Sequence, residues 1–332
     1  MSIGIGVIGA GVMGGDHART IATSVGGAHL AAISDADAAR AAHIAAETGA
    51  RRHFVDGMAL IEDKSVEAVL VASPDHTHAD FVLACLRAGK PVLCEKPLAA
   101  NAAECHNIIA AEIAAGRRLV QVGFMRRFDP AYAAMRAKRE SGALGAAVML
   151  HCLHHNASAP PWFDAEMVIT NAAVHEIDVA RFLLDAEIAA ATVFVPGGAQ
   201  SATPDRLLLV FEMANGAVVD VGVFVNAGYG YDVRAELVCE RGSIARDPRE
   251  AVVLRHDGRE ALDFAPDWRA HFAAAYRLQL QAWVKAIRDG VPAGASAWDG
   301  YAATAAADAC VQTLRTGERV RVTLPARPNF YD

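Results

Sequence analysis

The chain has 332 residues, 53% of them hydrophobic and 21% charged, and carries a formal net charge of −7 at pH 7. That length points to two domains rather than one, and the balance is that of a globular protein with full cores. An acidic chain argues against a nucleic-acid binder, which shows a basic excess, and against an anionic membrane surface as partner. Cys85, Cys94, Cys105, Cys152, Cys239 and Cys310 are scattered, mostly in apolar runs and without a CxxC pair. They read as small buried hydrophobes in a reducing, cytoplasmic setting. The start MSIGIGVIGAG lacks the positive charge that opens a signal peptide. No run reaches the ~18 apolar residues of a membrane helix.

In chain order, SIGIGVIG is a first strand and MGGDHARTIATSV a helix. HLAAISD is a second strand ending at Asp35, and VEAVLVAS at 66–73 a third. HTHADFVLACLRAG is a helix that stops at Gly89, PVLCEKP a strand, AAECHNIIAAEIAAG a helix and RLVQVGFM a strand. Continuous apolar strands alternating with helices predict a parallel sheet covered on both faces. After about residue 125 the pattern changes. DPAYAAMRAKRESG reads as a helix, AAVMLHCLHHN as a strand and NAAVHEID as a helix. Strands then follow one another from 191 to 265, with LLLVFEM and AVVDVGVFV around Asn215-Gly216, and AVVLRH and REALDF around Asp257-Gly258. Asn-Gly and Asp-Gly suit tight hairpins, so this half is expected to hold a mostly antiparallel sheet. Two helices, about 270–289 and 299–316, precede a last strand, RVRVTL. The expected division is 1–124 and 125–332. The fold class is α/β.

Gly9-Ala10-Gly11-Val12-Met13-Gly14 fits G-x-G-x-x-G, follows a strand, opens a helix, and precedes Asp35 by 21 residues counted from Gly14. That context is what a dinucleotide site requires. Gly9 permits the tight turn, Gly11 lets the backbone approach the pyrophosphate, and Gly14 allows close helix–strand packing. Asp35 is suited to the ribose hydroxyls and repels a 2′-phosphate, and no arginine or lysine adjoins it in SDADAAR. NAD is therefore favoured over NADP. The other reading is a Gly-rich turn with a capping aspartate.

Ligands of open parallel sheets bind beyond the carboxyl ends of the strands. Two polar segments end there: Ser73-Pro74-Asp75-His76-Thr77-His78 and Glu95-Lys96-Pro97. Ser73, Pro74, His76 and Glu95 are candidate cofactor neighbours, with His76 expected to cap the next helix. Taken alone, Lys96 is a solvated lysine or a group pointing into the cleft. His175 stands four residues after Asn171, on a shared helix face. It reads as a core residue, a metal ligand or a proton carrier. No Cys, Asp or Glu is spaced to make a convincing metal site, and none is predicted.

IGVIGAGVMG, SPDHTHAD, GKPVLCEKPLA, VGFMRRFDP and VHEIDVARFLL, in that order, resemble the Gfo/Idh/MocA family of oxidoreductases over nearly the whole chain. VGFMRRFD, HHN at 154–156 and YGYD at 229–232 are most similar to its bacterial inositol 2-dehydrogenases. The resemblance implies a Rossmann domain, doubly wound, and a C-terminal α/β domain whose open sheet joins copies into a homodimer or homotetramer. It implies hydride transfer between a nicotinamide and a carbon bearing a hydroxyl or ketone, on a cyclitol or a pyranose. Lys96 matches the lysine that holds the reacting oxygen and also borders the cofactor. His175 matches the general base. Arg126, His154 and Asn156 match positions that bind polyol hydroxyls, and Tyr229 and Tyr231 come from a loop over the pocket. Asn171 departs from the pattern, which has an aspartate there. An asparagine can orient an imidazole through its carbonyl oxygen but supplies no charge. Two further readings are a sugar or sugar-phosphate dehydrogenase or ketoreductase of aminocyclitol or antibiotic metabolism, and a catalytically weak NAD-binding sensor. Adjacent Arg126 and Arg127 read as a solvated turn, as a salt bridge with Asp129, or as a phosphate site.

Overall fold

In the computed structural model, residues 2–197, 205–246 and 253–332 are described. They form two compact units, one of 1–128, 274–304 and 325–332, the other of 129–273 and 305–324. The span from 125 onward thus contributes two later segments to the first unit.

The first unit is built on β1 (Ile3–Ile8), β2 (Ala28–Ser34), β3 (Arg52–Phe54), β4 (Ala68–Val71), β5 (Val92–Cys94) and β6 (Val120–Val122). All pairings are parallel. The order is β3-β2-β1-β4-β5-β6. Helices α1 (Val12–Ser24), α2 (Ala38–Thr48), α3 (Gly57–Glu62), α4 (His78–Arg87) and α5 (Ala102–Ala114) connect the strands. β1, β4 and β5 are buried at every position, as expected of parallel strands covered on both faces. Ile5, Val7, Ile33, Leu70 and Leu93 form the core, which is completed by Leu280, Trp283 and Val284 from far down the chain. Each such side chain contributes roughly 1.5–3 kcal/mol by leaving water. The strand order reverses direction between β1 and β4. The loops after those two strands therefore flank the crevice where such sheets bind ligands.

In the second unit, α6 (Pro130–Glu140) leads to β7 (Ala147–His155), a short α7 (Ala165–Met167), a π-helical turn over Val168–Ala173, and α8 (Val174–Leu184). Then come β8 (Ile188–Phe194), β9 (Arg206–Met213), β10 (Val218–Phe224), β11 (Asp232–Cys239) and β12 (Gly242–Arg246). With β15 (Val320–Arg321) they make a seven-stranded sheet, order β12-β11-β7-β10-β9-β8-β15. Only the β7–β10 pair is parallel; the other pairs are antiparallel. β9 alternates exposed and buried positions, which marks a sheet covered on one face. α8 is buried along its whole length. A separate hairpin joins β13 (Val253–His256) to β14 (Arg259–Leu262). Asp257 and Gly258 both take positive φ there (51° and 70°), the pattern of a two-residue hairpin turn. Residues 251–252 of the AVVLRH segment lie outside the described residues. The last helices are α9 (Trp268–Asp289) and α10 (Ala297–Thr316).

Candidate active site

The three glycines after β1 divide the labour as their spacing predicts. Gly9 sits at φ +95°, and a Cβ there would lie 2.4 Å from the Ala72 carbonyl oxygen, so only glycine makes this turn. A Cβ on Gly14 would fall 1.8 Å from the Gly9 carbonyl oxygen, which explains the close approach of α1 to the turn. Gly11 is the opposite case: a Cβ there meets nothing within 4 Å. Gly11 is also the N-cap of α1, with no side-chain cap bond. The amides of the first helical turn therefore look onto open space, the arrangement that binds a diphosphate. Val12 is exposed beside them, and Met13 is half-buried. Asp35 accepts hydrogen bonds from the amides of Ala10 (2.8 Å) and Asp37 (2.9 Å), so its carboxylate is held at the mouth of the glycine turn. Arg40, inside SDADAAR, brings Nη1 to 3.5 Å from both Asp35 oxygens. Five residues of separation thus leave an arginine beside Asp35, where adjacency in the chain offered none.

On the far side of the crevice, Ser73 and Thr77 share a hydroxyl–hydroxyl bond of 2.6 Å. Pro74 and His76 are exposed. His76 does not cap the helix: the N-cap of α4 is Thr77, with no side-chain cap bond, because the chain enters through a 3-10 turn over Asp75–Thr77 that already turns the backbone. His78 is buried and spans the Ser73 carbonyl (2.9 Å) and the Pro97 carbonyl (2.7 Å), tying the two polar loops together. Glu95 is turned inward, with Oε1 2.7 Å from His17 Nε2 on α1. Lys96 follows at the carboxyl end of β5. Burial pushes its ammonium pKa below the ordinary 10.5; the Glu95 and Asp75 carboxylates oppose that shift and Arg126 adds to it. Lys96 and Arg126 are therefore neighbours electrostatically. Arg126 is 1% exposed, and Arg127 pairs with Asp299 at 3.0 Å. The arginines are thus not a solvated turn. Asp129 instead caps α6 through the amides of Ala131 and Tyr132.

In the second unit, Asn171 lies in the π-helical turn and His175 on the first turn of α8. π turns inside helices are frequent at functional sites. His154 on β7 faces His175, ring centroids 6.5 Å apart, and also the edge of Tyr231 at 5.8 Å. His154 Nδ1 donates to Glu176 Oε2 at 2.9 Å, and both side chains are buried. The residue that follows His175 in the chain is thus tied to the neighbouring strand through His154. Arg181 makes a fork to Glu187 (2.6 and 2.8 Å), while Asp178 is buried. Asn156 Oδ1 is buried with no donor among the described residues, an acceptor suited to a ligand hydroxyl. His155 alternates outward from His154 and bonds the Tyr229 hydroxyl (2.7 Å), which donates to Asp232 (3.0 Å). Tyr231 is buried among His154, His271 and Phe272. Of the predicted residues, the structure gathers Lys96 with Arg126 and His175 with His154.

Sequence reasoning missed His17 and Glu176, and named His78 only as the end of a polar segment, without a role. A signal for His17 existed: Gly14, Ala18 and Ile21 form the buried stripe of α1, and a histidine at helical spacing within such a stripe needs a buried partner. Among the described residues no three His, Cys, Asp or Glu side chains gather as a metal site.

The parallel sheet, its open glycine turn and the polar loops at its carboxyl edge define the class: a dinucleotide-dependent α/β oxidoreductase carrying a second, mixed-sheet unit. The chain belongs to the Gfo/Idh/MocA oxidoreductase family. Residues 3–124 match the family's NAD-binding Rossmann fold, and residues 140–324 its C-terminal alpha/beta domain. It is 51% identical to inositol 2-dehydrogenase 2 of Saccharopolyspora erythraea, over 100% of this chain and 98% of that protein. It is 43% identical to the inositol 2-dehydrogenase of Ralstonia nicotianae, over 100% and 99%. The crystal structure of Lactobacillus casei myo-inositol dehydrogenase with NAD(H) and myo-inositol superposes over 100% of both chains, with a TM-score of 0.96 and 29% identity.

Proposed function

We propose that the protein is an NAD-dependent inositol dehydrogenase that oxidises a secondary ring hydroxyl to the ketone. The observation that carries this reading is chain-long identity of 51% with a protein of that activity. The glycine turn fits the cofactor: an open Gly11, uncapped first-turn amides and a fixed Asp35 carboxylate. Bound NAD supplies the hydride acceptor. Lys96 donates to the reacting oxygen, and its partly desolvated ammonium makes that bond stronger than it would be in water. His175 takes the hydroxyl proton, and Asn171 orients the imidazole through its carbonyl oxygen. Arg126, His154 and Asn156 read the other hydroxyls. An analogue lacking a bonded hydroxyl leaves such buried groups unpaired and is strongly rejected. Arg127 is engaged with Asp299, which counts against a phosphate site and hence against a sugar phosphate as substrate.

Two copies or four associate through the outer face of the seven-stranded sheet, where Met149, Phe194, Leu208 and Val218 are exposed. A cytoplasmic setting suits six buried cysteines that carry thiols. No helix among the described residues is long and apolar enough to cross a membrane.

The test is turnover with NAD of myo-inositol, scyllo-inositol, glucose and glucose 6-phosphate, with NADH binding followed by fluorescence. A cyclitol is expected to be oxidised fastest. Binding without turnover across the panel would instead support the sensor reading, to which the Asn171 substitution lends its weight.

A further inference from the structure

We propose that His17 is a positioning residue for Lys96: it holds the Glu95 carboxylate on the α1 side and so keeps the lysine ammonium available to the substrate oxygen. The inference rests on the role proposed for Lys96. His17 is 2% exposed on a helix that otherwise serves the cofactor. A carboxylate can only accept, so the His17 Nε2 that lies 2.7 Å from Glu95 Oε1 carries the proton and donates. The ring is fixed from behind by Tyr276, edge-on at 5.7 Å.

Glu95 is confined on its remaining sides. Its Oε2 accepts from the Lys96 amide at 3.2 Å. Gly123 presses against it so closely that a Cβ there would lie 2.8 Å from Oε2 and 3.0 Å from Glu95 Cα. Glu95 is itself 6% exposed. A buried carboxylate must be held by donors, or it closes on the nearest cation. Lys96, the next residue in the chain, is a cation that feels this carboxylate, together with Asp75 and Arg126. The Cys94 thiol beneath is pushed well up by burial and by Glu95, so it stays neutral and contributes no charge. The carboxylate has two claimants, the imidazole and the ammonium. Geometry gives one of its oxygens to the imidazole.

The two partners therefore have opposite effects. Glu95→Gln removes the negative charge that sustains the Lys96 ammonium, so Lys96 loses its proton at lower pH. His17→Leu releases the carboxylate onto the ammonium, so Lys96 keeps its proton to higher pH while being drawn off the substrate. His17→Gln restores an N–H donor and behaves as the parent. The readout is the pH titration of the Lys96 ¹³Cε resonance in lysine-labelled full-length protein, assigned with Lys96→Arg. It needs no turnover, so it stands even if inositol is not the substrate. With a turned-over cyclitol, kcat in His17→Leu should fall about ten- to a hundred-fold, the scale of a misplaced catalytic group, with KM for NAD within about twofold. His17→Met makes the same comparison if the leucine variant unfolds. Opposite displacements with rescue by glutamine support the inference. Titrations that stay in place, or that move the same way in both variants, overturn it.

Discussion

Asn171 shows how far one atom can matter. Replacing a carboxylate oxygen by an amide nitrogen keeps a carbonyl that can orient His175 and removes a unit of charge. In the serine-protease triad a comparable exchange costs ~10⁴ in kcat. Glu176 follows His175 in the chain, but its carboxylate is engaged by His154 at 2.9 Å, and adjacent residues of a helix do not share a face, so it does not restore the lost charge. Asn171→Asp is therefore expected to raise kcat on a cyclitol, by on the order of tenfold given the room that 10⁴ leaves. Steady-state kinetics check this, and an unchanged rate would remove the account of Asn171 as a handicap. Lys96, His175 and Asn171 took their expected roles from motifs that resemble a family, because a single lysine or histidine reads equally well as a solvated or a core residue. The contact of Glu176 with His154 had no such signal, since its position next to His175 in the chain says nothing of what it bonds.

At the scale of the element, the glycine turn separates two functions of one residue type. Gly11→Ala adds a methyl group to open space. It should leave the melting temperature nearly unchanged and raise Kd for NADH by on the order of tenfold, about 1.4 kcal/mol. Gly14→Ala drives a methyl group into the Gly9 carbonyl and should cost about 1–3 kcal/mol of stability or more. Calorimetry and fluorescence titration on the two variants distinguish them; equal loss of stability would contradict the assignment. The C-terminal segment is fastened by a second device. Glu112 is fully buried, accepts from the amides of Leu119 and Val120 (2.7 Å each), and takes the Tyr331 hydroxyl at 2.7 Å. Burial raises its pKa above the ordinary 4.5 despite those donors. Between the unfolded and folded pKa values the native chain binds the extra proton, so stability falls as pH rises through that interval. Tyr331→Phe removes a donor and should cost about 1–3 kcal/mol. The loss should be larger at pH 8 than at pH 4, read from urea midpoints; a loss independent of pH would sink the linkage.

At the scale of the whole molecule, the open face of the seven-stranded sheet is the surface with most to gain from a partner. Met149, Phe194, Leu208 and Val218 lie 37–52% exposed on four of its strands. A stable interface buries about 800 Å² per partner, which a sheet of this size can supply. Light scattering is expected to find a dimer or tetramer, and Phe194→Asp with Leu208→Glu to shift it toward the monomer. A wild-type monomer at micromolar concentration would refute the proposal.

Most strands and helices, the hairpins and the glycine turn were legible in the chain because their signals are local: alternation of burial, helical spacing, and residues that tolerate positive φ. The exception is 36–65, where α2, the three-residue β3 and the six-residue α3 went unread, so that the strand at 66–73 counted as third is the fourth. The class of reaction followed from motifs in a fixed order, each a few residues long. What only the tertiary structure decided is which polar groups meet across long stretches of chain. His17 and Glu95 lie 78 positions apart, and Glu112 and Tyr331 lie 219 apart. The core of the parallel sheet likewise closes with Leu280, Trp283 and Val284. Such pairings depend on side-chain positions fixed to within a few tenths of an ångström, set by the packing of whole elements, and a one-dimensional pattern contains no term for them.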